Sequence, residues 1–251
     1  MLFRSLVGSA AALHALVFNL KGAQRAVASG TRHVRFVVSA SDGHSRANAG
    51  VPTDQALARV EEAADWLAGV RTEATIATAF VCPFDGDTPV RRVIEVAERL
   101  VNTNIGVLHL ADTIGAATPG DIRRTVGAVR AAFPDLTLGL HLHNTYGMAS
   151  ANVWEALGLG IRRFDAALGG LGGCPFAPGA AGNIGADDLV HLLHREGIDT
   201  GIDPDALAAA RATLQDMVGH TLDSALARTG NPPAALRRTT PIGPTPAAVL
   251  R

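Results

Sequence analysis

Residues 105–144 read IGVLHLADTIGAATPGDIRRTVGAVRAAFPDLTLGLHLHN. An apolar run occupies 105–110, a helical pattern occupies 120–132, and a second apolar run occupies 136–142. The sequence Pro119-Gly120 marks a helix start, because proline is well tolerated in the first turn. Two apolar runs separated by a helix, at a repeat of about 30 residues, predict a parallel β-α-β unit.

The same alternation extends in both directions from this stretch. Four more apolar runs predict strands at 15–20, 33–39, 73–81 and 161–168, and helical patterns occur at 54–68, 89–101, 148–158, 186–195 and 204–218. Six strands alternating with helices predict an α/β fold, a TIM (β/α)8-type barrel that holds about six of the eight units. An open doubly wound sheet is the alternative, although no Gly-x-Gly-x-x-Gly lies between a strand and a helix.

Composition limits the classes of protein that fit. The 251 residues are 47% hydrophobic and carry a net charge of −1, which excludes a disordered chain and argues against nucleic acid as a partner. No run of about 18 apolar residues predicts a membrane span. Two cysteines are too few for a disulfide framework, so we expect a cytoplasmic protein. One domain is predicted over 1–230, followed by a tail at 231–251 that holds five of the thirteen prolines.

Polar residues cluster where the predicted strands end, which is where barrel enzymes build their sites. His141 and His143 are two residues apart on a strand and therefore point to the same face. Two imidazoles at that spacing suit a divalent metal, and a hydrogen-bonded pair without metal is the alternative. Asp112 follows another strand, where it could orient a substrate hydroxyl or cap the next helix.

A glycine-dense stretch, GGLGGCP at 169–175, follows the last predicted strand and continues to GAAGN at 179–183. Glycine allows a loop to fold closely over a ligand or to move as a lid. Cys174 lies in this stretch and could transfer a proton if its pKa is tuned. A flexible surface loop with an incidental cysteine is the alternative interpretation.

Three motifs resemble the 3-hydroxy-3-methylglutaryl-CoA (HMG-CoA) lyases of the DRE-TIM metallolyase superfamily. They are LADTIGAATPG at 110–120, LHLHNTYGMASAN at 140–152 and GGLGGCPFAPGAAGNIGADDLV at 169–190. Shorter segments, FNLKGAQRAVASG, SASDGHSRAN and CPFDG, are also similar to this family. The resemblance covers residues 15–220, and its Gly-Cys-Pro loop is the most specific part.

The resemblance implies a reaction and a set of residues that carries it. The family reaction is cleavage of HMG-CoA, an acyl-CoA thioester, to acetyl-CoA and acetoacetate, with Mg²⁺ or Mn²⁺ as cofactor and a homodimer as the assembly. The implied residues fall into three roles: metal ligands His141, His143 and Asn183; catalytic residues Cys174, Asp112 and His141; and substrate-binding residues Asn19, Asn48 and Asp187.

The chain also departs from the family pattern. No Asp-Arg pair precedes residue 15, so two strands of the family barrel, one metal ligand and an enolate-stabilising arginine have no counterpart. Asn144 stands where a lyase usually has Asp. We therefore expect this chain alone to be a weak or inactive lyase. The alternatives are a catalytically inactive barrel remnant and a Schiff-base aldolase that uses Lys21, the only lysine.

Overall fold

The computed structural model describes residues 12–67, 69–173 and 182–233. Six parallel strands form one sheet in the order β1-β2-β3-β6-β7-β8. These strands are β1 (His14–Val17), β2 (His33–Ser39), β3 (Arg71–Ala77), β6 (Val107–Asp112), β7 (Thr137–Leu142) and β8 (Arg163–Asp165). A small antiparallel hairpin, β4 (Val81–Cys82) with β5 (Gly86–Asp87), follows β3. The sheet is a half-barrel, which confirms the predicted incomplete α/β barrel.

Helices connect the strands and cover one face of the sheet. They are α1 (Leu20–Ala28), α2 (Asp42–Ala49), α3 (Thr53–Trp66), α4 (Val90–Val101), α5 (Pro119–Ala132), α6 (Ala149–Gly158), α7 (Ala186–Arg195), α8 (Pro204–Val218) and α9 (Ala225–Thr229). Helices α3, α4, α5 and α6 pack side by side in chain order, α1 packs on α3, and α7 packs on α8. In the described part of the chain, no helix is long and apolar enough to cross a membrane.

Side-chain alternation along the strands separates the core from the site. Apolar residues such as Phe36, Ile76 and Leu110 are fully buried in the core that the sheet and helices share. The intervening positions, among them Arg35 and Thr75, face the concave side of the half-barrel. Because successive strand residues point to opposite faces, each strand supplies the core and the concave surface at once.

Most predicted elements are found within a few residues of their observed bounds, but α1, α2 and α9 were not predicted. Helix α1 begins because the Asn19 side chain accepts a hydrogen bond from the Gly22 N–H, and α2 begins because Ser41 accepts one from the His44 N–H. The caps start helices where the sequence pattern predicts a strand up to residue 20 and no helix around Ser41. Strand β3 ends before the predicted residue 81 because Thr78 adopts a φ of 52°.

The predicted division into a domain at 1–230 and a tail at 231–251 remains a prediction. The last described residues pack on the barrel: the Asn231 side chain accepts a hydrogen bond from Arg211 and donates one to the Pro204 carbonyl. Residues 234–251 lie outside the described part of the chain.

Candidate active site

A cavity of about 530 Å³ lies on the concave side, where the strands end. Its walls are strand residues that share one side-chain direction, together with two residues of α2 and the start of the glycine-dense stretch. The lining residues used below are Arg35, Thr113, His141, His143 and Asp165 from or next to the strands, His44 and Asn48 from α2, and Gly173. The carboxyl ends of parallel strands therefore form the site, as in other α/β barrels.

His141 and His143 both line this cavity, and their ring centroids are 5.2 Å apart. The two histidine side chains therefore point to the same side of the sheet, as the spacing predicts. When an imidazole nitrogen binds an ion at about 2.1 Å, the ring centroid lies about 3 Å from that ion. Two rings that share one ion therefore have centroids at most about 6 Å apart, and the observed separation is within this limit. Burial and the neighbouring His141 lower the pKa of His143 to about 4, which leaves its imidazole neutral and able to ligate a metal.

Asn183 lies next to this histidine pair. It forms an isolated antiparallel bridge with His143, and its amide nitrogen donates to the Leu171 carbonyl at 3.1 Å. The Asn183 Oδ1 and the His143 Nδ1 are buried and have no hydrogen-bond partner among the described residues. With the His143 ring proton on Nε2, its Nδ1 and the Asn183 Oδ1 both offer lone pairs that no described residue fills, and a cation would satisfy both.

The ligands that these residues offer carry no charge of their own. Among the described residues, no group of three or more His, Cys, Asp or Glu side chains is placed to hold a metal ion. The candidate set is two imidazoles and one amide, and hard cations such as Mg²⁺ prefer carboxylates. We therefore expect these three ligands to bind a hard cation with low affinity.

A layer of charged residues forms the floor of the cavity. Arg35 donates through Nε and Nη2 to Glu73 Oε2 at 3.0 and 2.8 Å, and through Nη1 to Asp165 Oδ2 at 2.6 Å. His109 lies between the two carboxylates, with one ring nitrogen 3.6 Å from each. Burial lowers the pKa of His109 to about 4, so this ring is neutral at pH 7. Gly139 leaves room for it, because a Cβ there would lie 2.6 Å from the ring.

The Asp165 carboxylate remains ionised in this layer. Burial alone would raise its pKa, but a hydrogen bond from His141 and the nearby His109 and Arg35 outweigh burial and lower the pKa to about 2. Its Oδ2 lies 3.4 Å from His141 Nδ1. The floor is therefore joined directly to one of the two histidines of the cavity.

The structure does not bring the Asp112 carboxylate into the cavity. Asp112 is fully buried, and its two oxygens accept hydrogen bonds from the backbone N–H groups of Ala116 and Ala117. It faces the helices because it lies one residue away from Ala111 and Thr113, which both line the cavity. Burial outweighs these N–H donors and raises the pKa of Asp112 to about 6. Asp112 thus binds the turn before α5, and the predicted alternative, a cap of that helix, is not observed because Thr118 is its N-cap.

The three predicted substrate-binding residues lie in three different places. Asn48 lines the cavity. Asn19 caps α1 and lines a separate groove together with Lys21 and Arg59, so neither Asn19 nor the lysine of the aldolase alternative reaches the histidines. Asp187 is buried behind the glycine-dense stretch, where its carboxylate binds Arg211, Ser224 and the Gly169 N–H.

Cys174, the predicted catalytic thiol, lies outside the described residues. Its neighbour Gly173 lines the cavity. Gly169 and Gly170 both adopt positive φ values, which turn the chain sharply after Leu168. The described part of the segment that precedes Cys174 therefore reaches the cavity at Gly173.

Sequence reasoning missed several residues of the cavity. The sequence patterns single out neither Arg35 nor Asp165, and they assign no role to His44. His44 is 2% exposed, and its Nδ1 lies 2.6 Å from Ser39 Oγ. One signal was present for Arg35: an arginine at the centre of the apolar strand HVRFVVS requires a buried partner.

Fold and site together define an α/β-barrel enzyme with its cavity at the carboxyl ends of the strands. The HMGL-like family model matches residues 5–214, and the chain belongs to this family. The chain is 44% identical over 218 residues to an (R)-citramalyl-CoA lyase of Chloroflexus aurantiacus, a match that covers 86% of this chain and 69% of that protein. The resemblance inferred from the sequence motifs is therefore confirmed.

Relatives with other names support the same family. A hydroxymethylglutaryl-CoA lyase of Bacillus subtilis is 37% identical over 84% of this chain and 71% of its own length. An HMG-CoA lyase structure from Acinetobacter baumannii, in complex with coenzyme A and 3-methylmalate, superposes with a TM-score of 0.85 at 42% identity and covers 90% of this chain and 74% of that one. These relatives are carbon–carbon lyases, which confirms the predicted enzyme class at the level of the family.

Proposed function

We propose that this chain is a divalent-metal-dependent lyase that cleaves a 3-hydroxyacyl-CoA to acetyl-CoA and a carbonyl product. The observation that carries the proposal concerns two buried atoms beside His141, the His143 Nδ1 and the Asn183 Oδ1. They belong to bridged residues, and neither has a hydrogen-bond partner among the described residues. His141, His143 and Asn183 would hold Mg²⁺ or Mn²⁺. The bound ion would lower the pKa of the substrate hydroxyl and stabilise negative charge on its oxygens.

Beyond the metal, a retro-aldol cleavage requires a base for the hydroxyl proton and an acid for the enolate. A base removes the proton of the 3-hydroxyl, the bond between C2 and C3 breaks, and C3 becomes a carbonyl. The electron pair of the broken bond forms the thioester enolate, which takes a proton at C2 to give acetyl-CoA. Cys174 is the proposed acid for this last step, because the segment before it enters the cavity at Gly173.

Two substrates are the leading candidates. HMG-CoA follows from the motifs and from several relatives, and citramalyl-CoA follows from the 44% identical lyase of Chloroflexus aurantiacus. The two compounds differ by one CH₂ between the hydroxyl-bearing carbon and the terminal carboxylate. Asn48 and the buried His44 supply polar groups at the wall of the cavity, which suits an acyl group that ends in a carboxylate.

The test is acetyl-CoA release from each compound with excess Mg²⁺ or Mn²⁺, compared with His143→Ala and with a chelator. We expect slow, metal-dependent release, because the described ligands include no carboxylate and would bind a hard cation weakly. Release from neither compound by well-folded protein would overturn the proposal, as would turnover that survives the chelator. Borohydride trapping of a keto product on Lys21 would favour the aldolase alternative instead.

The proposal includes a homodimer. Light scattering of the purified chain across a dilution series tests it, and a mass of one 25.9 kDa chain at every concentration would contradict it.

A further inference from the structure

The cavity floor contains one contact that the proposed reaction leaves unexplained. Asp165 lies directly opposite His141 in the pairing of β7 with β8, so the two side chains share the concave face. A single carboxylate oxygen, Asp165 Oδ2, lies 2.6 Å from Arg35 Nη1, 3.4 Å from His141 Nδ1 and 3.6 Å from His109 Nδ1. The carboxylate therefore connects a fixed guanidinium to a histidine of the site.

We propose that Asp165, anchored by Arg35, is a positioning residue that holds His141 in its Nδ1–H tautomer and presents Nε2 to the cavity. A neutral imidazole carries one ring proton, and an ionised carboxylate only accepts hydrogen bonds. The ring nitrogen beside Asp165 must therefore be the protonated one. The lone pair of His141 is then on Nε2, the nitrogen remote from the floor.

Arg35 explains why the carboxylate stays in place. Its Nε and Nη2 are both bound to Glu73, which leaves Nη1 to fix Asp165. The Arg35 side chain is 13% exposed and joins residues of three strands. A guanidinium with two carboxylate partners has little rotational freedom, so Asp165 is pre-oriented before anything enters the cavity.

The consequence for binding rests on the proposed function. A carboxylate that accepts from the remote N–H of a ligating histidine fixes the orientation of the ring and raises its basicity, and its loss costs 10–100-fold in metal affinity in well-studied sites. Arg35, Glu73 and Asp165 together carry one net negative charge beside an uncharged ligand set. This charge favours a cation without contacting it.

The tautomer itself can be measured without metal or substrate. Long-range ¹H–¹⁵N correlation spectra of the ¹⁵N-labelled chain at pH 8 distinguish Nδ1–H from Nε2–H histidines, and His141→Gln identifies the His141 signals. We expect Nδ1–H in the wild type, loss of that fixed tautomer in Asp165→Ala, and its retention in Glu73→Gln. Glu73 is the matched control because it binds the same arginine and does not contact His141.

Three results in the spectra would overturn the inference: Nε2–H for His141 in the wild type, an unchanged tautomer in Asp165→Ala, or the same change in Glu73→Gln. The wild-type spectrum alone decides the first of these, so the inference is testable even if Asp165→Ala fails to fold.

Mn²⁺ titration followed by electron paramagnetic resonance separates this inference from the proposed function. We expect Asp165→Ala to weaken Mn²⁺ binding by about 10–100-fold and Glu73→Gln to weaken it by less than about threefold. A wild type that shows Nδ1–H but binds no Mn²⁺ would refute the metal-dependent lyase and leave the positioning role intact. Equal Mn²⁺ affinity in wild type and Asp165→Ala would refute the positioning role alone.

Discussion

Replacing Asp187 with alanine should unfold the protein at a markedly lower temperature. Asp187 is 3% exposed, and its Oδ2 accepts from Arg211 Nη1 at 2.9 Å and from Ser224 Oγ at 2.5 Å, while its Oδ1 accepts from the Gly169 N–H at 3.0 Å. Arg211 is 8% exposed, so the substitution leaves a buried guanidinium without its carboxylate. Breaking one side of a buried ion pair typically costs about 3–5 kcal/mol.

The assay is thermal and urea unfolding followed by circular dichroism. For a domain of this size, about 3–5 kcal/mol lowers the midpoint temperature by about 6–20 °C. Asp188→Ala is the matched control. Asp188 accepts hydrogen bonds from the Ala225 and Leu226 N–H groups at the start of α9, and loss of such a cap lowers the free energy of unfolding by about 1 kcal/mol. The double variant Asp187→Ala/Arg211→Met should lose less free energy of unfolding than the two single variants together, because no unpaired buried charge remains.

This experiment also decides between two roles for Asp187. The motif resemblance implies that it binds substrate, and its contacts tie the start of the glycine-dense stretch to α8 and to the turn before α9. Unchanged stability together with a raised KM for the acyl-CoA would refute the structural role. A large loss of stability, with KM unchanged in the fraction that remains folded, would refute direct substrate binding.

Three other substitutions test separate parts of the structure. Gly139→Ala should destabilise the protein by about 1–3 kcal/mol in urea unfolding, because its Cβ would meet the His109 ring at 2.6 Å, and Gly127→Ala, where a Cβ meets nothing, should not. Burial raises the folded-state pKa of Asp112 to about 6, above the unfolded value near 4, so the native state holds the extra proton. The free energy of unfolding should therefore fall by roughly 1–3 kcal/mol as pH rises from about 4 to about 6, and Asp112→Ala should remove this slope; an identical slope in the variant would contradict the assignment. Cys174→Ala should keep the wild-type unfolding midpoint and lower the rate of acetyl-CoA release by about 10²–10⁴-fold, and an unchanged rate would exclude the thiol from catalysis.

Local patterns were sufficient to predict the half-barrel. Buried parallel strands are runs of apolar residues, and those at 33–39 and 136–142 were located within one residue of their observed bounds. The same alternation predicted that His141 and His143 share a face, because strand geometry leaves no other arrangement. Helices α1 and α2 escaped prediction because short polar helices depend on their caps, and Asn19 and Ser41 also fit a turn.

Residue identity alone could not predict which groups the candidate site residues contact. Asp112 and Asp187 occur in motifs, yet their carboxylates serve backbone N–H groups and a buried arginine. Arg35 and Asp165 are 130 positions apart in the chain, and only the folded sheet brings them into contact. No local sequence pattern predicts such a contact, because the contact depends on the order of the strands in the sheet and not on the spacing of the residues along the chain.

The ionic floor of the cavity constrains how related sequences can vary. Arg35, Glu73 and Asp165 lie on three different strands, and the single guanidinium of Arg35 pairs with both carboxylates. An apolar residue at position 35 would leave two carboxylates under the cavity without their cationic partner. Such a substitution is tolerated only with a compensating change at position 73 or 165. In a deep alignment, these three positions should therefore evolve together as one ion-paired unit. Gly139 and His109 should change together as a second pair, because the His109 ring leaves no room for a Cβ at position 139.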